Sequence, residues 1–92
     1  MARFYFHQRI GETLIEDPDG YEFSSLNDAR ASALISARRL WAAAVISDED
    51  LSGEAIEIAD ECGHHVGTVT LIEALPLTFR RMVLGLEPSK AA

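Results

Sequence analysis

A single cysteine, Cys62, means that no disulfide can close within one chain, and a thiol-rich metal site is excluded for the same reason. The sequence also lacks any uninterrupted apolar stretch of about 18 residues, the length a bilayer-spanning helix needs. Polar residues interrupt the aromatic run near the N-terminus, so the continuous apolar core and small-residue cleavage site of an export signal are missing. These absences predict a cytoplasmic protein with no membrane partner. The glycines form neither Gly-x-Gly-x-x-Gly nor a phosphate loop ending in Gly-Lys-Ser/Thr, and no Gly-x-Ser-x-Gly elbow occurs. A nucleotide cofactor therefore has no evident seat, and no cofactor is expected. Positive charge is scarce too. The net charge is -7, and Asp48 to Glu61 carries Asp48, Glu49, Asp50, Glu54, Glu57, Asp60 and Glu61 with no compensating base. Such a field repels a phosphate backbone, which disfavours nucleic acid as a partner.

What is present is enough for one compact core: 92 residues with 48% hydrophobic content. In Arg3-Phe4-Tyr5-Phe6-His7-Gln8-Arg9-Ile10 aromatic and polar side chains interleave. Strand alternation puts Phe4, Phe6 and Gln8 on one face and Arg3, Tyr5, His7 and Arg9 on the other. Phe4 and Phe6 are expected in the core. Gly11 allows a turn into Thr13-Leu14-Ile15-Glu16, a short partner strand. Asp17-Pro18-Asp19-Gly20 then fits a type I turn, after which Tyr21-Glu22-Phe23 extends the sheet or leads onto it.

Leu26 to Ile46 contains no glycine or proline and is rich in alanine, which predicts one long helix capped by Ser25. Leu26, Ala33, Leu34, Ala37, Leu40, Trp41 and Ala44 form the stripe expected to lie on the sheet. Ile35 and Ala42 interrupt the solvent side with apolar surface. The acidic Asp48-Glu49-Asp50 opposes the helix macrodipole and opens a loop through Gly53. Ala55–Ala59 and Val66–Ile72 read as a second hairpin closed at Gly63, and Pro76 opens a possible short helix over Leu77 to Leu84. The expected fold is α+β, in the order β-β-α-β-β. It has an antiparallel sheet with one long helix on one face and a possible short C-terminal helix. Residues 1–86 form the domain and 87–92 a flexible tail.

The candidate chemistry is sparse. Cys62, His64 and His65 lie near Asp60 and Glu61, but adjacent histidines on a strand point to opposite faces and the spacing matches no zinc pattern, so no metal is expected. Asp17-x-Asp19-Gly20 fails as a calcium loop, because aligning Gly20 with the loop glycine puts Ile15 and Leu26 at ligand positions. The acidic surroundings of Cys62 oppose thiolate formation, and no catalytic residue is assigned. Tyr5, His7 and Arg9 share one strand face and could bind an anion or act in acid–base chemistry, given a pocket and a partner group.

The opening Met1-Ala2-Arg3-Phe4-Tyr5-Phe6-His7, the segment Asp17-Pro18-Asp19-Gly20-Tyr21-Glu22-Phe23, Asp28-Ala29-Arg30 at the head of an Ala-rich helix, and Ile56-Glu57-Ile58-Ala59-Asp60-Glu61-Cys62-Gly63 occur in that order. Over Met1 to Leu75 this resembles a family of short uncharacterised domains common in rhizobia and related alphaproteobacteria. The resemblance implies a bacterial cytoplasmic origin and supplies no activity, cofactor or catalytic residue. A fold-level likeness to small α+β antitoxin domains rests on the hairpin-then-helix order alone.

The expected function is a non-enzymatic protein-interaction or regulatory domain, expected as a homodimer, that self-associates or binds another protein. Its candidate interaction surface takes in Tyr5, His7, Arg9, Ile35, Arg38, Arg39 and Ile46, with an exposed strand edge or the Ile35, Ala42 and Ile46 helix side as the contact. The alternatives are a ligand-binding or catalytic module built on Tyr5, His7 and Arg9, and nucleic-acid binding through Arg30, Arg38, Arg39, Arg80 and Arg81.

Overall fold

The computed structural model describes residues 1–84, so the expected tail 87–92 lies outside the described residues. The chain runs β1 (Ala2–Ile10), β2 (Thr13–Ile15), β3 (Tyr21–Phe23), α1 (Leu26–Ile46), β4 (Glu54–Ala59), β5 (His65–Thr70), a 3-10 turn (Ile72–Ala74) and α2 (Leu77–Leu84). All strand pairs are antiparallel, in the order β2-β1-β4-β5 with β3 also on β1. This is the expected α+β fold with one further strand. The long β1 pairs along one side with β4; along its other side its C-terminal half holds β2 and its N-terminal half holds β3. No helix among the described residues is long and apolar enough to cross a membrane.

Two turns let one strand serve three partners. Gly11 has φ +61° at the first position of a two-residue loop, the place where a type II′ hairpin needs glycine. Asp17 then organises the second reversal: its Oδ1 accepts the N–H groups of Asp19 and Gly20, and its Oδ2 accepts that of Phe6. Gly20 sits at φ +71° so close to β1 that a Cβ there would lie 2.9 Å from the Phe4 carbonyl oxygen. The reversal gathers Phe4, Phe6, Tyr21 and Phe23 on the helix side, with Phe6 and Phe23 stacked at 5.8 Å.

Ser25 caps α1 by accepting the Asp28 N–H at 3.1 Å. The buried stripe is Ala29, Ala33, Ala37, Trp41 and Ala44. Methyl groups at four-residue steps let the helix backbone approach Ile56, Ile58 and Val69 closely, and Trp41 fills the wider end. Leu26, expected in this stripe, is 38% exposed, because the first turn precedes the point where the helix settles on the sheet. Leu34 and Leu40 flank the core half-buried. At the far end Asp48 takes φ +58°, with its N–H bonded to the Val45 carbonyl and that of Glu49 to Ala44. This is a Schellman closure with aspartate where glycine is usual.

The β4–β5 hairpin turns at Gly63, φ +82°, with Asp60 Oδ1 accepting the N–H groups of Cys62 and His64. A bulge between Ile58 and Ala59 sets His65 opposite Ala59. β5 stops at Thr70, two residues before the expected end, since Leu71 turns inward to complete the core and Ile72 enters the 3-10 turn.

Candidate functional site

Strand alternation and register place Tyr5, His7 and Arg9 together on the sheet face away from α1, with Glu57 opposite His7 and Thr68 opposite Glu57. Tyr5 and His7 stack at 6.3 Å. Two of the three, His7 and Arg9, are bonded within the domain. His7 Nδ1 accepts the Asp17 backbone N–H at 3.0 Å, so the neutral ring carries its proton on Nε2. Arg9 Nε donates to Glu57 Oε2 at 2.7 Å, and its Nη1 donates to the Glu12 carbonyl. The Arg9 hydrogen bond holds the Glu57 carboxyl below the usual carboxylate range against the opposing effect of burial, and the same pairing raises Arg9. Burial works against ionisation of Asp17, but the N–H groups of Gly20, Phe6 and Asp19 outweigh it and leave that carboxyl below its ordinary value.

Two recesses lie on the opposite face. A cleft of about 380 Å³ has Phe6, Gln8, Ile15 and Ile56 on its floor and Ser36, Arg39 and Leu40 of α1 as one wall, with Glu16, Asp17 and Tyr21 at the rim. A second, of about 220 Å³, continues it past Gln8 and Leu40 toward Ile10, Ser47, Glu49 and Glu54. The cause is the seating of α1, which starts beside β3 and packs over β4 and β5. The inner face of β2 and of the C-terminal half of β1 is left open, with Ile15 51% exposed. Gln8 donates to Glu54 Oε1 at 3.0 Å across this floor. The signal for the cleft was in the sequence: strand alternation puts Gln8 on the same side as Phe4 and Phe6, and a polar residue there marks a floor the helix does not cover.

The helix candidates divide. Arg39 lines the cleft, while Ile35 and Ile46 project outward, and Ile46 is 87% exposed. Arg38 turns to the other flank, where its Nε donates to the Ala74 carbonyl at 2.9 Å. There it joins Arg30, bonded to the Thr68 carbonyl and Glu73, and Trp41, whose Nε1 donates to the Leu71 carbonyl at 2.6 Å. Arg80 caps the carbonyls of Ile72, Glu73 and Leu75. Arg30, Arg38 and Arg80 thus hold the chain after β5, where a 3-10 turn leaves carbonyls without ladder partners. They do not form a free basic patch.

The same contacts blunt one sheet edge. Arg30 takes the Thr68 carbonyl and Glu73 accepts the Thr70 N–H, so outward backbone groups of β5 are already bonded. The opposite edge consists of two three-residue strands broken by the Asp17 turn. Among the described residues each edge is thus interrupted, β5 by these two bonds and the opposite side by the Asp17 turn. At the hairpin tip, His64 Nδ1 lies 3.6 Å from Asp60 Oδ2, whereas His65 Nε2 is 2.7 Å from Thr68 Oγ1. The Asp60 carboxyl is held below its usual range first by the His64 backbone N–H. No three potential metal ligands converge among the described residues.

These features define an α+β domain in which one helix covers part of an antiparallel sheet and an apolar-floored cleft runs beside it. The chain belongs to the family described as Domain of unknown function (DUF6894), which matches residues 3–72. That agrees with the resemblance to short uncharacterised domains drawn from the opening strand and its following motifs. No curated protein and no solved structure matches the chain.

Proposed function

We propose that this is a non-enzymatic protein-interaction domain that self-associates through the helix side of its sheet. The observation that carries the reading is the half-built helical layer. Four strands side by side span about 14 Å between outer axes, whereas a helix with its side chains covers about 10–12 Å. Phe6, Ile10, Ile15 and Leu40 border the resulting cleft, and Ile35, Val45 and Ile46 add uncovered apolar surface on the same helix. Sheets bury such a face against another element, and a second chain can supply it. On the Tyr5, His7 and Arg9 face the His7 and Arg9 side chains are already bonded within the domain, which favours the helix side over it.

Size-exclusion chromatography with light scattering, run from low to high micromolar concentration, tests this. A concentration-dependent dimer is expected, and a strict monomer throughout would remove the self-association.

A further inference from the structure

We propose that the occupant of the cleft is α2 of a second copy of this chain, so that two molecules dock reciprocally. This rests on the self-association read above and names its partner surface.

Helix α2 is loosely held. Among the described residues it makes no more than slight contact with any strand or with α1, and the side-chain bonds that tie it to the preceding turn come from Arg80. Leu77, Phe79 and Met82 are all more than half exposed. The domain is correspondingly drawn out: its radius of gyration is 14.8 Å and its long axis 53 Å. A compact chain of this length would have a radius of about 12 Å.

The helix and the cleft match in length and charge. Eight residues of helix extend about 12 Å, and the cleft floor from Phe6 to Ile10 on β1 extends about 13 Å. Glu16, Asp17, Glu49 and Glu54 stand around the cleft against the single Arg39, whereas α2 carries Arg80 and Arg81 and no carboxylate. Phe79 and Met82, one turn apart, supply apolar side chains to meet the faces that Phe6, Ile15 and Leu40 turn to the cleft.

Nor can α2 reach the cleft of its own molecule. The 3-10 turn is fastened to one flank of α1 by Trp41 and Arg38, while Ser36, Leu40 and Ser47 present the opposite flank to the cleft. Only Leu75 and Pro76 separate that turn from α2. The three steps from Ala74 to Leu77 extend at most about 10 Å, too short to pass around a helix about 10 Å across to its far flank. A projecting helix and a vacant cleft on each molecule make the contact self-complementary, and a two-fold arrangement fills both clefts and closes the assembly.

The test uses the whole chain in light scattering and in thiol trapping. Phe79→Asp with Met82→Asp, and separately Ile15→Lys, alter exposed side chains on the two sides of the contact. Each should weaken the dimer by about 10-fold or more while leaving far-ultraviolet circular dichroism unchanged. In a Cys62→Ser background, a Phe79→Cys chain mixed with an Ile15→Cys chain should give a disulfide between the two chains. A dimer indifferent to both surface changes, with no mixed disulfide, overturns the helix docking and leaves self-association through another face standing. A wild-type monomer at every concentration overturns both.

Discussion

Replacing Asp17 by alanine removes one carboxylate that serves three backbone donors, the N–H groups of Phe6, Asp19 and Gly20. The bonds to Phe6 and Gly20 are half-buried and that to Asp19 is exposed, so water replaces the last at little cost. A hydrogen bond to a charged acceptor contributes about 1.5–3 kcal/mol, and halving the two half-buried bonds for solvent screening gives a loss of about 1.5–3 kcal/mol. The bond from the Asp17 backbone N–H to His7 survives the change, which confines the loss to the carboxylate. Urea denaturation of wild type and variant, followed by circular dichroism, reads the difference directly. The pH dependence has a definite sign. The folded carboxyl titrates below its ordinary value, so its contribution is complete above the unfolded value of about 3.9 and is lost as pH falls through the folded value. The gap between wild type and Asp17→Ala should be constant from neutral pH to about 5 and should narrow in more acid solution. A loss under about 0.5 kcal/mol, or a gap that does not change through the carboxylate range, would refute the assignment of Asp17 as organiser of the turn.

Other substitutions probe separate contacts. Gly20→Ala should destabilise by about 2–4 kcal/mol, from left-handed strain and overlap with the Phe4 carbonyl, while Gly11→Ala, equally left-handed but in open space, should cost about 1–2 kcal/mol. Equal losses in a denaturation comparison would show that the close approach at Gly20 is unimportant. Trp41→Phe should cost about 1–3 kcal/mol, since it removes the indole donor from the Leu71 carbonyl, which keeps only the Ala74 N–H, and opens space in the core. A thermal midpoint unchanged from wild type would contradict that. Asp48→Gly should raise stability by about 0.5–1 kcal/mol, by relieving a left-handed residue and removing negative charge at the carbonyl end of α1. Destabilisation in the same assay would argue that Asp48 makes a compensating contact.

Much of this architecture is legible locally. The two faces of β1, the capped alanine-rich helix, the Asp17 and Gly63 turns and the limits of α2 follow from patterns within a few residues. Leu26 escaped the core because periodicity gives a helix face but not where along its length the helix meets the sheet. The arginines show the same limit more strongly. Arg38 and Arg39 are neighbours in sequence, yet one caps Ala74 and the other borders the cleft, a division set by packing on opposite flanks of α1. Arg30 meets a carbonyl left open because β5 is the outer strand, and Arg80 meets carbonyls whose lack of ladder partners appears only once β5 stops at Thr70. Gln8, polar on the core side of β1, lies on the floor the helix leaves uncovered.

By itself, then, the sequence determined the elements, their turns and which side of each strand is apolar, because these depend on backbone preference and alternation over short spans. The tertiary structure decided where α1 lies across the sheet, and from that which carbonyls the arginines cap, which edges are blunted and where the cleft opens. Those features depend on contacts between residues far apart in the chain, and no local period encodes the lateral position of a helix on a sheet.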